Sequence, residues 1–204
     1  MHTPSSHHWQ CLKRVLRYVC GTISYGLAIR RSSLPLQVTA FADSDWAGNV
    51  DDRTSTSAYL VYLGPTLISW RSQKQRTVAC SSTEAEYRAI AHAAAELAWV
   101  QNLLHELHQP LTSSPTLLSD NLGATYFSAN PLFHSRMKHL AIDYHFVCQL
   151  VQDGRFHVRY IPTAHQLTDM LTKPLPSTRF LLLRSKIGVV DTSSILRGRI
   201  REKE

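Results

Sequence analysis

A mixed α/β domain built on one five-stranded sheet is the fold the sequence predicts, and three observations predict it. Three β-prone runs follow one another around short turn signals, so they pair as antiparallel neighbours. Two further strand-like runs each come after helical segments, and strands entered from a helix can return parallel. With 204 residues and 44% hydrophobic residues, the chain can bury a sizeable core in one ordinary domain with an appendage. The same composition, with 18% charged residues, 8 Gly and 9 Pro, excludes a disordered chain, a collagen-like one and Pro/Gly-rich low-complexity material.

The order of elements reads β-β-β-α-β-α-α-β-α, preceded by one further helix. In residues 9–19, Leu12, Val15, Leu16 and Val19 recur at helical spacing while Lys13, Arg14 and Arg17 lie off that stripe, which predicts an amphipathic helix with a basic side. Gly21 and a polar stretch to Ser33 follow, and a boundary falls near Pro35. Residues 36–42 are β-prone and run into Asp43-Ser-Asp45, after which Asp51-Asp52-Arg53 is turn-like. Residues 57–63 and 66–71 read as two strands around the hairpin turn Gly64-Pro65. The strongest helix spans 82–108, rich in Ala and Leu and stopped by Pro110, with Glu86, Ile90, Ala94, Leu97 and Leu104 on its stripe. A strand at 116–119, helices at 122–128 and 135–151, a strand at 156–161 and a helix from near Gln166 complete the order. No internal repeat is visible, and residues 191–204, with Arg197, Arg199, Arg201 and Lys203, read as a basic tail.

The formal net charge is +7, and 11 His add positive charge as pH falls, which points to a polyanionic partner such as nucleic acid. Plain solubility explains the charge equally well when it is taken alone. Cys11, Cys20, Cys80 and Cys148 are too scattered for a paired metal-ligand spacing and read as reduced thiols of an intracellular protein. No apolar run is long enough to span a membrane, and the His-rich start lacks the apolar core of a signal peptide.

The acids are few, and their positions carry the chemical reading. Asp43 ends the first strand, Glu86 lies one turn into the main helix, Asp120 ends the fourth strand and Asp169 opens the last helix. Each has a plain structural role when taken singly: Asp43 and Asp45 as turn formers, Glu86 in a capping box with Thr83, Asp120 as a turn or N-cap, and Asp169 as a first-turn acid. As an ordered set they suit hard divalent cations, because crowded carboxylates resist ionising unless a cation joins them, and two ions can activate water and stabilise a leaving oxygen.

Several blocks carry a family resemblance. Phe41-Ala-Asp-Ser-Asp-Trp-Ala-Gly48, Asp52-Arg-Thr-Ser-Thr-Ser57, Leu67-Ile-Ser-Trp-Arg-Ser-Gln-Lys-Gln75, Ser81-Ser-Thr-Glu-Ala-Glu-Tyr-Arg88, Ser119-Asp-Asn121 and Leu167-Thr-Asp-Met-Leu-Thr-Lys173 resemble the RNase H domain of copia-type retrotransposon polyproteins. His134-Ser-Arg-Met-Lys-His139 through Asp143-Tyr-His-Phe146 resembles a further signature of that family. The likeness runs from about Pro4 to Val189, and helix 9–19 resembles the end of the reverse transcriptase that precedes RNase H. The expected organisation is therefore a reverse-transcriptase remnant and linker at 1–34, an RNase H-like domain at 35–190 and a basic tail at 191–204, together a C-terminal piece of a polyprotein without a Tyr-x-Asp-Asp polymerase motif. Ala58 and Ala141 depart from the family's usual Gly and acidic residue.

The resemblance implies an RNase H-like fold and Mg²⁺-dependent cleavage of the RNA strand of an RNA/DNA hybrid, with Mn²⁺ as an alternative ion. It carries Asp43, Glu86, Asp120 and Asp169 onto the metal-binding catalytic acids of two ions, with Asp45 and Glu84 as near neighbours of that set. Arg71, Lys74 and Arg76, expected in the loop before the main helix, are candidate phosphate contacts or else a solvated basic loop, and His165 is a candidate for assisting product release. The reverse-transcriptase portion is the implied protein partner, and cytoplasmic retrotransposon particles, or else the nucleus, the implied location. Two other functions compete: a catalytically silent nucleic-acid-binding remnant, and the same fold performing integrase or junction-nuclease chemistry. The Ser81–Arg88 and Leu167–Lys173 blocks disfavour the latter.

Overall fold

The computed structural model describes residues 3–29, 35–129 and 141–193 and divides the chain into two compact units, Met1–Ala28 with Gly188–Glu204, and Ile29–Ile187. In the first, α1 (Ser6–Gly21) begins at a reciprocal cap: the Ser5 hydroxyl accepts the His8 N–H, and His8 Nδ1 accepts the Ser5 N–H at 3.2 Å. None of the α1 residues is buried, including the apolar stripe Leu12, Val15, Leu16 and Val19. After it, β1 (Tyr25–Leu27) pairs antiparallel with β7 (Val189–Asp191). The sequence reading had neither strand. Each has three residues, too few for a period-2 pattern, and each depends on a partner at the other end of the chain. Residues 30–34, the block 134–139 and the arginines of 197–201 lie outside the described residues.

The second unit is built on β2 (Val38–Asp45), β3 (Thr56–Leu63), β4 (Thr66–Lys74), β5 (Thr116–Ser119) and β6 (His157–Tyr160), in the order β4-β3-β2-β5-β6. The first three form the expected antiparallel meander, and β5 and β6 run parallel to β2. Gly64 turns the β3–β4 hairpin at φ 57°, a conformation open to Gly, and the fixed φ of Pro65 follows. Two strands are longer than the sequence indicates. β2 continues through Asp45, which places Asp43 inside the strand opposite Ala58, and β4 continues to Lys74 opposite Thr56. Polar residues at these ends hide the strands from a hydrophobic pattern, while the ladder to β3 supplies the hydrogen bonds.

Helix α2 (Ser82–Glu106) lies across the sheet. Ala85, Ala89, Ile90, Ala93, Ala94 and Leu97 are all at most 1% exposed, against Val38, Ala40, Ala42, Val61 and Leu117. Small alanine side chains let the helix backbone approach the strands, and burial of each larger apolar side chain stabilises by about 1.5–3 kcal/mol. After α3 (Leu122–Ala129), α4 (Ala141–Gln152) packs on α2, with Tyr144 stacked on the fully buried Tyr87. The expected single helix from near Gln166 is two pieces, α5 (Asp169–Thr172) and α6 (Ser177–Lys186), with a 3₁₀ turn Thr163–His165 ahead of them. Pro174 and Pro176 explain the break, since proline holds the preceding residue extended and supplies no N–H, and Lys173 is extended at φ −140°.

Candidate active site

Asp43, Glu86 and Asp120 come from three elements and meet at one place. β2 carries Asp43, α2 carries Glu86 one turn from its start, and Asp120 directly follows β5 beside β2. One carboxylate oxygen from each lies within 4.8 Å of the others, and Asp43 and Glu86 are buried. Asp169, the first residue of α5, is also buried but stands outside that group of three. Lys173 links it to the cluster: its Nζ is 2.8 Å from Asp169 and 3.6 Å from Asp43. Arg179 reaches the other Asp169 oxygen at 3.5 Å and donates to the carbonyls of Ala164 and Thr163.

The two near neighbours have other work. Positions 84 and 86 face roughly opposite sides of a helix with about 3.6 residues per turn. Glu84 accepts the Cys80 N–H at 2.8 Å and pairs with Arg88 at 2.6 Å, so its carboxylate closes the helix start. The N-cap is Ser81, whose hydroxyl accepts the Glu84 N–H, and not Thr83 as the spacing before Glu86 suggests. Asp45 accepts the Thr56 N–H across the β2–β3 connection, and Trp46 Nε1 donates to the Ala79 carbonyl at 3.1 Å, tying the end of β2 to the approach to α2.

Electrostatics describe a site with too much negative charge. Burial, followed by the charges of Asp43 and Asp120, pushes Glu86 up to about 9 against a Ser44 backbone hydrogen bond. Burial also raises Asp43, an effect countered by Lys173 and by the Thr172 hydroxyl, which donates to Asp43. Glu86 Oε2 is buried with no hydrogen-bond partner. A divalent cation fits this donor set, since it would supply the missing partner and convert the repulsion into coordination by hard oxygen ligands.

Several supporting side chains escaped sequence reasoning. Gln166, fully buried, donates to the Ala42 carbonyl at 2.9 Å and to Asp120 at 3.3 Å, while its own oxygen accepts the Thr168 hydroxyl. Its amide thus fastens the strand of one acid to the side chain of another. The Gln166→Leu variant, which keeps the volume but leaves these groups unpaired, is expected to lose about 1–3 kcal/mol of stability in urea unfolding. An unchanged midpoint would remove Gln166 from this role. Gln75, also buried, donates to Ser57 and to the Ala85 carbonyl and accepts from Arg88 at 3.2 Å. Gln75, Thr172 and Lys173 stand inside the quoted sequence blocks, which was their only signal; Gln166 lies just outside one.

The basic trio is placed differently from the expected loop. Arg71 and Lys74 belong to β4 at the sheet edge, and only Arg76 lies in the connection to α2. All three line a groove of about 410 Å³ with Arg88, His92 and Asp143. Lys74 is paired with Asp52 at 2.6 Å. His165 lies exposed in the 3₁₀ turn ahead of Asp169. The four cysteines are free, with Cys148 buried, and no described helix is long and apolar enough to cross a membrane.

No protein-family model matches the chain. It is 48% identical over 201 residues, 98% of its length, to the retrovirus-related Pol polyprotein from transposon RE2 of Arabidopsis thaliana, and 51% identical over 93% of its length to that from transposon RE1. The chain spans only 14% and 13% of those polyproteins. Among solved structures, an RNase H1 isolated from compost superposes at a TM-score of 0.52 with 12% identity, covering 67% of this chain and 92% of that one. That likeness concerns the fold. By sequence and by fold together, the chain is a homologue of one segment of the copia-type retrovirus-related Pol polyproteins, and it carries an RNase H-like fold.

Proposed function

We propose that the chain is a divalent-metal-dependent endonuclease that cleaves the RNA strand of RNA/DNA hybrids during retrotransposon reverse transcription, with Mg²⁺, or Mn²⁺ in its place, as the ion. The convergence of Asp43, Glu86 and Asp120 around a buried, unpartnered Glu86 oxygen carries this reading. Those three would hold one ion, and Asp43 with Asp169 the second. Bound there, the ions would supply a water nucleophile at neutral pH and charge opposite the departing 3′ oxygen. The chain's own residues prepare the place: Gln166 holds Asp120, Thr172 holds Asp43, and Glu84 with Ser81 fixes the helix turn that presents Glu86.

The groove beside β4 fits a nucleic-acid backbone. Arg71, Arg76 and Lys74 would neutralise phosphates, and choice of the RNA strand would rest on its 2′-hydroxyls. The Pol polyprotein relatives support a place in retrotransposon replication, with the polymerase portion as partner and cytoplasmic particles, or else the nucleus, as location.

End-labelled RNA/DNA hybrid, single-stranded RNA and duplex DNA, each with Mg²⁺, Mn²⁺ or chelator, test the activity. Cutting of the hybrid alone, and only with metal, is expected. A folded protein that binds hybrid but cuts nothing would leave the silent nucleic-acid-binding reading. For the groove, Arg71→Ala and Arg76→Ala are each expected to weaken hybrid binding and to reduce the slope of log affinity against log salt by about 1. Slopes equal to wild type would move the backbone contact elsewhere.

A further inference from the structure

Lys173 holds a position that the acid cluster reserves for positive charge. Its ammonium lies between Asp43 and Asp169, which come from β2 and α5 and are 1% and 6% exposed in their side chains. The lysine itself is 38% exposed. The two aspartates cannot withdraw into water, but the lysine can, because its flexible four-carbon stem reaches solvent. Thr172, the preceding residue, donates to Asp43 and keeps α5 against β2, so the approach of Lys173 is fixed by the chain.

We propose that Lys173 is a tethered cation occupying the Asp43–Asp169 edge of the cluster in the metal-free protein, and that a divalent ion bridging those two carboxylates must displace it. The inference rests on the acids being a metal site, as proposed above. Magnesium needs oxygens at about 2.0–2.1 Å in near-octahedral array, and an ammonium lying between the same two carboxylates cannot share that space. Lys173 then sets how much divalent metal the protein requires. It also keeps Asp43 and Asp169 together when no metal is bound. Arg179 stays with Asp169 throughout, because its other hydrogen bonds anchor it to the Thr163 and Ala164 carbonyls.

Calorimetric titration of Mg²⁺ into the metal-free 204-residue chain tests this, with Lys173→Met and Lys173→Arg compared with wild type. Lys173→Met is expected to bind Mg²⁺ roughly ten- to a hundredfold more tightly, since an ion pair no longer competes. Its metal-free melting temperature is expected to fall below wild type, and the rise on adding Mg²⁺ to exceed that of wild type. Lys173→Arg, which keeps a cation on a long stem, is expected to stay near wild type in both readouts. Affinity that is unchanged or weaker in folded Lys173→Met, while the wild type still takes up metal and cuts hybrid, overturns the tethered-cation role alone. If neither protein binds a divalent ion and neither cuts hybrid, the metal-site reading fails, and this inference falls with it.

Discussion

Asp43→Asn and Glu86→Gln are each expected to lower the single-turnover rate of hybrid cleavage by about a thousandfold or more, a loss of about 4 kcal/mol of transition-state stabilisation. Both changes keep the volume and remove one negative charge from a site whose proposed task is to hold positive ions. The same substitutions should act on stability in the opposite direction. In the metal-free protein, burial first and then the neighbouring carboxylates penalise the ionised forms of Asp43 and Glu86. A neutral amide escapes that penalty, so both variants are expected to melt at or above the wild-type temperature without metal and to respond less to added Mg²⁺. This opposition separates a functional loss from misfolding. A variant that melts normally yet keeps more than roughly a tenth of the wild-type rate would remove that acid from the reaction.

Glu86 also makes the metal-free protein less stable as pH rises. Its folded value of about 9 stands above the ordinary 4.5 that the unfolded chain takes. Between those values the folded protein holds a proton that the unfolded chain has released, so stability is greatest below about 4.5 with respect to this group and declines through the window up to about 9. Asp43, also raised, acts in the same direction. Asp52, lowered to about 2 by its hydrogen bonds with Lys74 and Thr54, changes its contribution only below 3.8 and does not disturb the window. Each pH unit inside the window is worth up to about 1.4 kcal/mol, and each kcal/mol moves the melting temperature of a domain this size by about 2–4 °C. Between about pH 6.5, above which the lowered His92 no longer opposes this trend, and about pH 8.5, scanning calorimetry in chelator is expected to show a fall of at least about 5 °C. Glu86→Gln should flatten that fall because the amide does not ionise, and saturating Mg²⁺ should flatten it because the ion favours the charged carboxylate. A wild-type profile that is level or rising, or an unchanged slope in Glu86→Gln, would contradict the crowding of these acids.

By itself, the sequence determined the mixed α/β class, the antiparallel meander, the long alanine-rich helix and the chain positions of the four acids. These follow from local rules: hydrophobic period, turn chemistry at Gly64-Pro65 and the run of helix formers from Ser82. The quoted blocks favoured Asp43 over Asp45 and Glu86 over Glu84, but only the folded chain displays what occupies each rejected carboxylate, the Thr56 N–H in one case and Cys80 with Arg88 in the other. The β1–β7 pair, the reach of β4 to Lys74 and the division of the last helix at Pro174 and Pro176 were settled by tertiary contacts and backbone constraint that no periodic pattern announces. Lys173 against Asp43, and Gln166 against Ala42 and Asp120, were settled in the same way. These pairs join residues more than forty positions apart, and a side chain's partner across such a distance is chosen by how strands and helices pack, a choice that leaves no local trace in composition or spacing.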